Sequence, residues 1–333
     1  MADPNTSLLD ALIRHAVYLG RYTRSEIASM LETIGTANES LISSIMRGVS
    51  PADRDRILAD VEKLYGTAIR EATDKLTAGV KELAGFETER AAKLAQSVNL
   101  TFKLPSPAKV LDAIMENPAD RGNPMKVLFD KFERNTIERI QAVVRQGVTE
   151  GQAPAQMVKA LRGEVVKPAR WIMKDGKRVL RPGVYRGGVY ETTTRGAETL
   201  ARTVVMHTYN TVNEQVYEDN ADLLSGVKWI ATLDMNTCPD CGALDGEEWE
   251  VGERHSTPPL HPNCRCVTVP VVKGHASPDS PRFEDWLSNQ SAERQDDILG
   301  KGRAEIFRSG EHLSDMSDQG KMLTLAELKE RGE

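Results

Sequence analysis

All four cysteines of this 333-residue chain fall between residues 238 and 266. They stand in Cys238-Pro239-Asp240-Cys241 and in His261-Pro262-Asn263-Cys264-Arg265-Cys266. Two thiolates at C-x-x-C spacing bind one tetrahedral ion from a tight turn, and the H-x-x-C-x-C group adds three more donors, close to the paired-ligand spacing of structural zinc sites. Cys238, Cys241 and Cys264 lead as ligands, with His261 or Cys266 as the fourth and His255 as a weaker candidate outside the group. Four protein ligands leave no position for an activated water, so zinc held this way is structural. Two other readings stay open from these residues: buried metal-free thiols, or a disulfide formed after release from the cell. A reducing cytoplasm favours metal over disulfides.

Catalytic patterns fail around this cluster. Zinc deaminases need H-x-E upstream of P-C-x-x-C, whereas Thr237 precedes Cys238 and His207 is followed by Thr208-Tyr209. A redox C-x-x-C needs a βαβ setting, and two further cysteines downstream argue for ligation instead. The sequence holds no H-E-x-x-H, Walker A or G-x-S-x-G motif. The expectation is a protein that is not an enzyme.

The elements that must position the cluster are mostly helical. From Pro51 to about Val98, Ile57, Val61, Leu64, Ala68, Ile69, Ala72, Leu76, Val80 and Leu83 form one apolar stripe on an amphipathic helix. Ser50-Pro51-Ala52-Asp53 suits its start: a capping serine, proline in the first turn and an early acid. Leu8 to Leu19 and Ser25 to Met46 read as two shorter helices. Pro105, Pro107, Pro118, Gly122 and Pro124 break the helical region. Phe129 to Val144 resumes it, and Gln152 to Leu161 adds a short helix. Trp171 to Leu180, with Asp175-Gly176 at its centre, reads as a β-hairpin that Tyr185 to Tyr190 extends. A helix from about Thr194 to Tyr217 follows, with His207 packed on its half-buried face rather than ligating. Cys266 to Val271 reads as a strand pairing near Trp229. The expected fold is mainly α, with a small α+β module around the cysteine/histidine cluster. The expected segments are a helical N-terminal region over 1–125, a core over 126–275 and an acidic helical tail over 276–333.

Apolar residues make up 40% of the chain, aromatics 5% and charged residues 28%. This is the composition of a soluble, helix-rich protein. No apolar run is long enough to cross a bilayer, and Met1-Ala2-Asp3-Pro4-Asn5-Thr6 is not a secretory n-region, which predicts synthesis in the cytoplasm. Net charge is −6, but residues 126–202 carry 16 basic and 8 acidic side chains while residues 203–333 carry 12 and 24. A basic middle between neutral and acidic ends fits either a solvated helix surface or a polyanionic partner.

Three stretches together resemble one family: Lys228-Trp229-Ile230-Ala231-Thr232-Leu233-Asp234, then Cys238 to Gly246 with Leu244-Asp245-Gly246, then Pro258-Pro259-Leu260-His261-Pro262-Asn263-Cys264-Arg265-Cys266. In this order they are similar to the phage Mu protein F-like family, the minor head or head morphogenesis proteins of tailed bacteriophages. Ala201-Arg202-Thr203 matches the family's preceding helix, with Val204 where an acidic residue is common. The resemblance is strong over about 195–272, weaker back to about 126, and leaves 1–125 unplaced. It implies a structural, low-copy head protein beside the portal and the packaged DNA. The portal protein is then the expected partner, the major capsid protein a further candidate, and the N-terminal helices the docking element.

Sequence-independent contact with double-stranded DNA falls to the basic middle: Arg134, Arg139, Arg145, Lys159, Arg162, Lys167, Arg170, Lys174, Lys177, Arg178, Arg181 and Arg186. The expected location is the head interior near the portal, after assembly in the host cytoplasm. Rival readings are a zinc-stabilised nucleic-acid adaptor in the host and a toxin-linked effector. The latter needs a further domain, for which too few residues follow Val272.

Overall fold

The computed structural model describes residues 3–48, 50–120, 122–168, 170–174, 177–181, 184–318 and 321–331. The first half is helical: α1 (Pro4–Met46), a 3-10 turn (Pro51–Asp53), α2 (Arg54–Ser97), α3 (Pro107–Glu116), α4 (Met125–Thr149) and α5 (Pro154–Arg162). Four short strands follow, β1 (Gly163–Lys167), β2 (Arg170–Lys174), β3 (Lys177–Arg181) and β4 (Val184–Gly187), and then α6 (Val189–Asp219). The last third holds β5 (Leu224–Ile230), α7 (Pro239–Ala243), β6 (Glu248–Glu250) and β7 (Val267–Val272). It closes with α8 (Phe283–Ser288), α9 (Ala292–Leu299), α10 (Lys301–Arg308), β8 (Ser317–Asp318), β9 (Lys321–Met322) and α11 (Leu325–Arg331). The molecule is mainly α with a small α+β module around the cysteines, as the sequence predicts.

The chain forms two compact units, each assembled from separated segments. One takes residues 22–79 and 126–201. Its core is the apolar stripe of α2 (Ile57, Val61, Ile69, Ala72, Leu76), met by Met30, Ile34, Leu41 and Ile45 of α1 and by Ile140 and Val144 of α4. Tyr65 is fully buried in this unit and donates its hydroxyl to Asn38 Oδ1 at 2.7 Å. Here β1 pairs antiparallel with β4, and β2 with β3. The expected hairpin is therefore present as β2–β3, its Asp175-Gly176 lying outside the described residues. The Tyr185 segment does not lengthen that ladder but returns to pair with β1. Both ladders lie open, with Val165, Trp171 and Met173 exposed.

The other unit takes residues 1–21, 80–125 and 202–333. A three-stranded antiparallel sheet, ordered β6-β5-β7, lies at its heart. Strand β7 is buried along its whole length, which is why Val267-Thr268-Val269-Pro270-Val271-Val272 reads as a continuous apolar run instead of alternating. The expected pairing of this strand with the Trp229 strand is present, with Trp229 opposite Thr268. A second core layer joins buried Trp229, Cys241 and Leu244 to Phe283, Leu287, Leu299, Phe307 and Met316. Residues from 283 onward thus supply much of the apolar bulk around the cysteines. The start of α1 is tied to the end of β7 by Asn5, whose side chain donates to the Ala276 carbonyl at 2.7 Å and accepts from Val272 N at 2.8 Å.

One difference concerns the N-terminus. Two helices are expected over 8–46, but α1 is continuous. Arg21-Tyr22-Thr23-Arg24 contains no proline, and a Cβ at Gly20 would meet nothing within 4 Å. The helix runs through this interval, with Arg21 and Arg24 exposed, Thr23 buried and the Tyr22 hydroxyl donating to the Gly79 carbonyl at 2.7 Å.

Candidate metal centre

The C-x-x-C pair sits on a helix start. Cys238 is the N-cap of α7, Pro239 occupies the first turn, and the Cys238 sulfur accepts the Cys241 N–H at 3.4 Å. Proline suits this position because its missing N–H would be unpaired there anyway. The cap turns both sulfurs to one side of the turn. Gly242, next in line, lies against the Phe283 ring, where a Cβ would come within 2.3 Å of ring carbon. Only glycine lets α8 close over the cysteine turn.

The return segment brings the other donors. His261 Nε2 lies 3.1 Å from Cys238 Sγ and 3.3 Å from Cys241 Sγ, and Cys241 Sγ lies 3.7 Å from Cys264 Sγ. Two groups of ligand-capable atoms result, Cys238–Cys241–His261 and Cys241–Cys264–Cys266, sharing Cys241. All four thiols are free, and Cys241, Cys264 and Cys266 are buried. A cavity of about 10 Å³ between them has room for one ion and little else. Zinc bonds of about 2.3 Å to sulfur and 2.0–2.1 Å to nitrogen give tetrahedral edges of about 3.8 Å and 3.6 Å. The sulfur–sulfur separation matches, and the sulfur–nitrogen pairs are a few tenths of an ångström tighter. His261 Nδ1 meets the Pro262 carbonyl at 2.9 Å. A carbonyl only accepts, so Nδ1 carries a proton, and Nε2 is the nitrogen that faces the sulfurs and would ligate an ion once its own proton leaves. The donor set fits a metal ion on type, distance and tautomer.

Electrostatics agree. Crowded thiols cannot all hold or all lose their protons. A hydrogen bond from Cys241, with His261 beside it, brings the Cys238 thiol down to about 5. The Cys238 sulfur lifts His261 to about 9, and Cys241 is pushed up by hydrogen bonding to Cys238 and Cys264. Cys238, Cys241, Cys264 and His261 could hold a divalent ion, which would relieve this competition by taking the place of the shared protons.

Around the cluster, Asp245 is the main brace. Its carboxylate accepts from Ala231 N at 2.7 Å and from Phe283 N at 2.6 Å, joining the end of β5 to the start of α8. Burial pushes this carboxyl up, offset by those two donors. Gly246 follows at φ +80, and a Cβ there would meet the Arg282 guanidinium. Asp234 and Arg265 form a two-pronged ion pair at 2.5 and 2.6 Å. The Arg265 guanidinium holds the Asp234 carboxyl below its usual range. Such a pair adds stability above the ordinary carboxylate pKa and loses it as pH falls through the lowered value. Asp234→Asn should therefore cost less than about 1 kcal/mol at pH 7 in this half-exposed position, and nothing once pH drops below that range. Thermal melts of both proteins from pH 7 to 2 check this, by converging or not.

His207 is packed, its Nε2 on the Ile114 carbonyl at 2.8 Å, and burial lowers its pKa. His255 stands apart from the sulfurs and meets Glu214 instead. Sequence reading missed the Asp245 brace and the Glu214 partner, because both depend on residues distant in the chain.

The basic residues are spread over several elements. Arg134, Arg139 and Arg145 are exposed on α4. Eleven residues make about three turns, so Arg134 and Arg145 share a face, while Arg139 is turned about 140° away. Lys159 is exposed beside Glu164. Arg162 is engaged by Glu39 at 2.8 Å and lies over the Tyr185 ring. Lys167, Arg170, Arg178 and Arg186 are exposed on the strands, with Arg178 stacked on Trp171 at 4.9 Å. For Lys174, Lys177 and Arg181 only the strand positions are described.

Taken together, fold and site define a mainly helical protein with a buried Cys/His cluster whose donors could hold a metal ion. Residues 138–269 match the family described as Phage Mu protein F like protein. The chain is also similar to NAD(+)–arginine ADP-ribosyltransferase EFV of Enterococcus faecalis, 24% identical over 217 residues, covering 58% of this chain and 39% of that protein. It thus spans about two fifths of the length of that curated relative. No solved structure matches the chain.

Proposed function

We propose that this protein is a minor head component of a tailed bacteriophage, acting in head morphogenesis beside the portal and the incoming genome, and structural rather than catalytic. The family match over residues 138–269 carries this reading, and the closed donor set inside that stretch supports it. Zinc is the ion best suited to a Cys/His tetrad, with Cys238, Cys241, His261 and Cys264 as ligands and Cys266 as a neighbouring thiol. The zinc serves to hold the module together. The portal protein is the proposed partner of the N-terminal helical region 1–125. The core 126–275 and the acidic tail 276–333 are the remaining proposed functional segments. Mass spectrometry of procapsids, full virions and emptied particles, normalised to portal, tests the reading. A few copies per portal support it, and absence from every particle overturns it in favour of a host-side role.

Packaged DNA is the proposed partner of the basic middle. Exposed arginines and lysines on α4 and on the open strands favour phosphate contact without base reading, and Trp171 under Arg178 offers an apolar face beside them. Changing Arg134, Arg145, Arg170 and Arg186 together to Gln should shallow the salt dependence of binding to a random-sequence duplex. Each lost contact removes about 0.9 from the slope of log K against log salt. An unchanged slope sinks the assignment.

A further inference from the structure

We propose that His255 and Glu214 hold a second divalent cation, separate from the sulfur cluster. The two residues come from different elements, Glu214 from α6 and His255 from the segment after β6. Their side chains are 8% and 12% exposed, and they line a cavity of 450 Å³.

His255 Nδ1 lies 2.8 Å from the Glu253 carbonyl oxygen. That oxygen can only accept, so Nδ1 carries the proton and the Nε2 lone pair points away from it. Across from Nε2, at 3.5 Å, stands Glu214 Oε2. Nε2 is buried and has no hydrogen-bond partner among the described residues. With the proton on Nδ1 alone, a buried acceptor faces a carboxylate at the cavity wall, an arrangement that a cation between them would satisfy.

Both groups are also aimed. Glu214 Oε1 accepts the Thr268 hydroxyl at 2.8 Å, which leaves Oε2 turned to the histidine. The imidazole is stacked on Trp249, centroids 5.1 Å apart and planes 16° apart. A ligating histidine fixed through its other nitrogen, opposite a carboxylate fixed through its other oxygen, is the usual outer-shell arrangement of a metal site. Metal–ligand bonds of about 2.1 Å at angles of 90–110° separate the two donors by about 3.0–3.4 Å. The observed gap of 3.5 Å is just beyond that span. The remaining coordination positions face the cavity, toward Thr211, Gln215 and Glu218, and would hold water or a group from a partner. One imidazole and one carboxylate suit ions of the manganese-to-zinc series.

A proton on Nε2 is the rival occupant, since the neighbouring Glu214 carboxylate raises the His255 pKa. Cobalt(II) separates the two. It binds more weakly than zinc to a given site, so the full chain loaded with one equivalent of zinc keeps its sulfur cluster filled. Equilibrium dialysis should then find one further cobalt per chain, with a visible spectrum lacking thiolate charge transfer. Glu214→Gln and His255→Gln should each weaken that cobalt ~10-fold or more while zinc content holds. Nitrogen-15 spectra of the wild-type His255 ring give an answer independent of any variant. A ring signal of neutral imidazole that responds to cobalt supports the site. An imidazolium signal indifferent to cobalt, no second equivalent at submillimolar cobalt, or cobalt retained in both variants overturns it.

Discussion

Cys241→Ser should abolish stoichiometric zinc and melt the cysteine module, the largest single effect expected in this molecule. Cys241 belongs to both donor groups, 3.3 Å from His261 Nε2 and 3.7 Å from Cys264 Sγ, so no regrouping of the others replaces it. Apparent binding free energies for structural zinc are about 10–16 kcal/mol. A hydroxyl in place of a thiolate forfeits a large fraction of that, comparable with the whole stability of a domain. Metal content by mass spectrometry and calorimetric melting with and without a chelator measure it. Cys266→Ser serves as the comparison. It should retain zinc and shift the melt only slightly, whereas Cys264→Ser should behave as Cys241→Ser does. Zinc kept by Cys264→Ser and lost by Cys266→Ser would exchange their roles, and wild-type stability indifferent to chelation would remove the metal from the account.

Asp245→Ala is the second. The carboxylate satisfies two buried N–H groups, of Ala231 and Phe283, that have no other acceptor among the described residues. Each buried donor left unpaired costs about 1–3 kcal/mol. The variant also relieves the burial of a charge, which burial already disfavours at this position, so the net loss should lie toward the lower half of the combined range. Asp245→Asn keeps the volume and one acceptor and should lose about half as much. Urea denaturation followed by Trp fluorescence reads both, because Trp229 sits in the same core layer. Equal stability of Asp245→Ala and wild type would show that solvent or local rearrangement satisfies both donors.

The local patterns were legible in the sequence because their causes are local. The stripe of α2 follows from three- and four-residue spacing, the hairpin from an Asp-Gly turn between β-prone arms, and the cluster from C-x-x-C followed by H-x-x-C-x-C. Strand β7 was legible as a branched apolar run. What escaped depends on distant residues. The pairing of β1 with β4 joins Gly163 to Gly187 around another hairpin. Phe283 and Phe307 read as part of an acidic tail, since sparse apolar residues among many charges give a weak period, yet they pack against Trp229 and Cys241. Glu214 carries no mark in the sequence, because its partners Thr268 and His255 lie far along the chain. The ligands were readable, but the frame that brings them together was not.

The tie between Asn5 and Val272 also bears on synthesis. At roughly 5–20 residues per second, the chain between them takes on the order of 15–50 s to emerge. Helix-forming residues near the start must wait that long for partners supplied by the last third. Early α1 and late α2 therefore pass through a period with apolar faces open on the ribosome, where a chaperone or a neighbouring nascent chain can reach them. Slowing translation over the final third should therefore lower the yield of folded protein in cells.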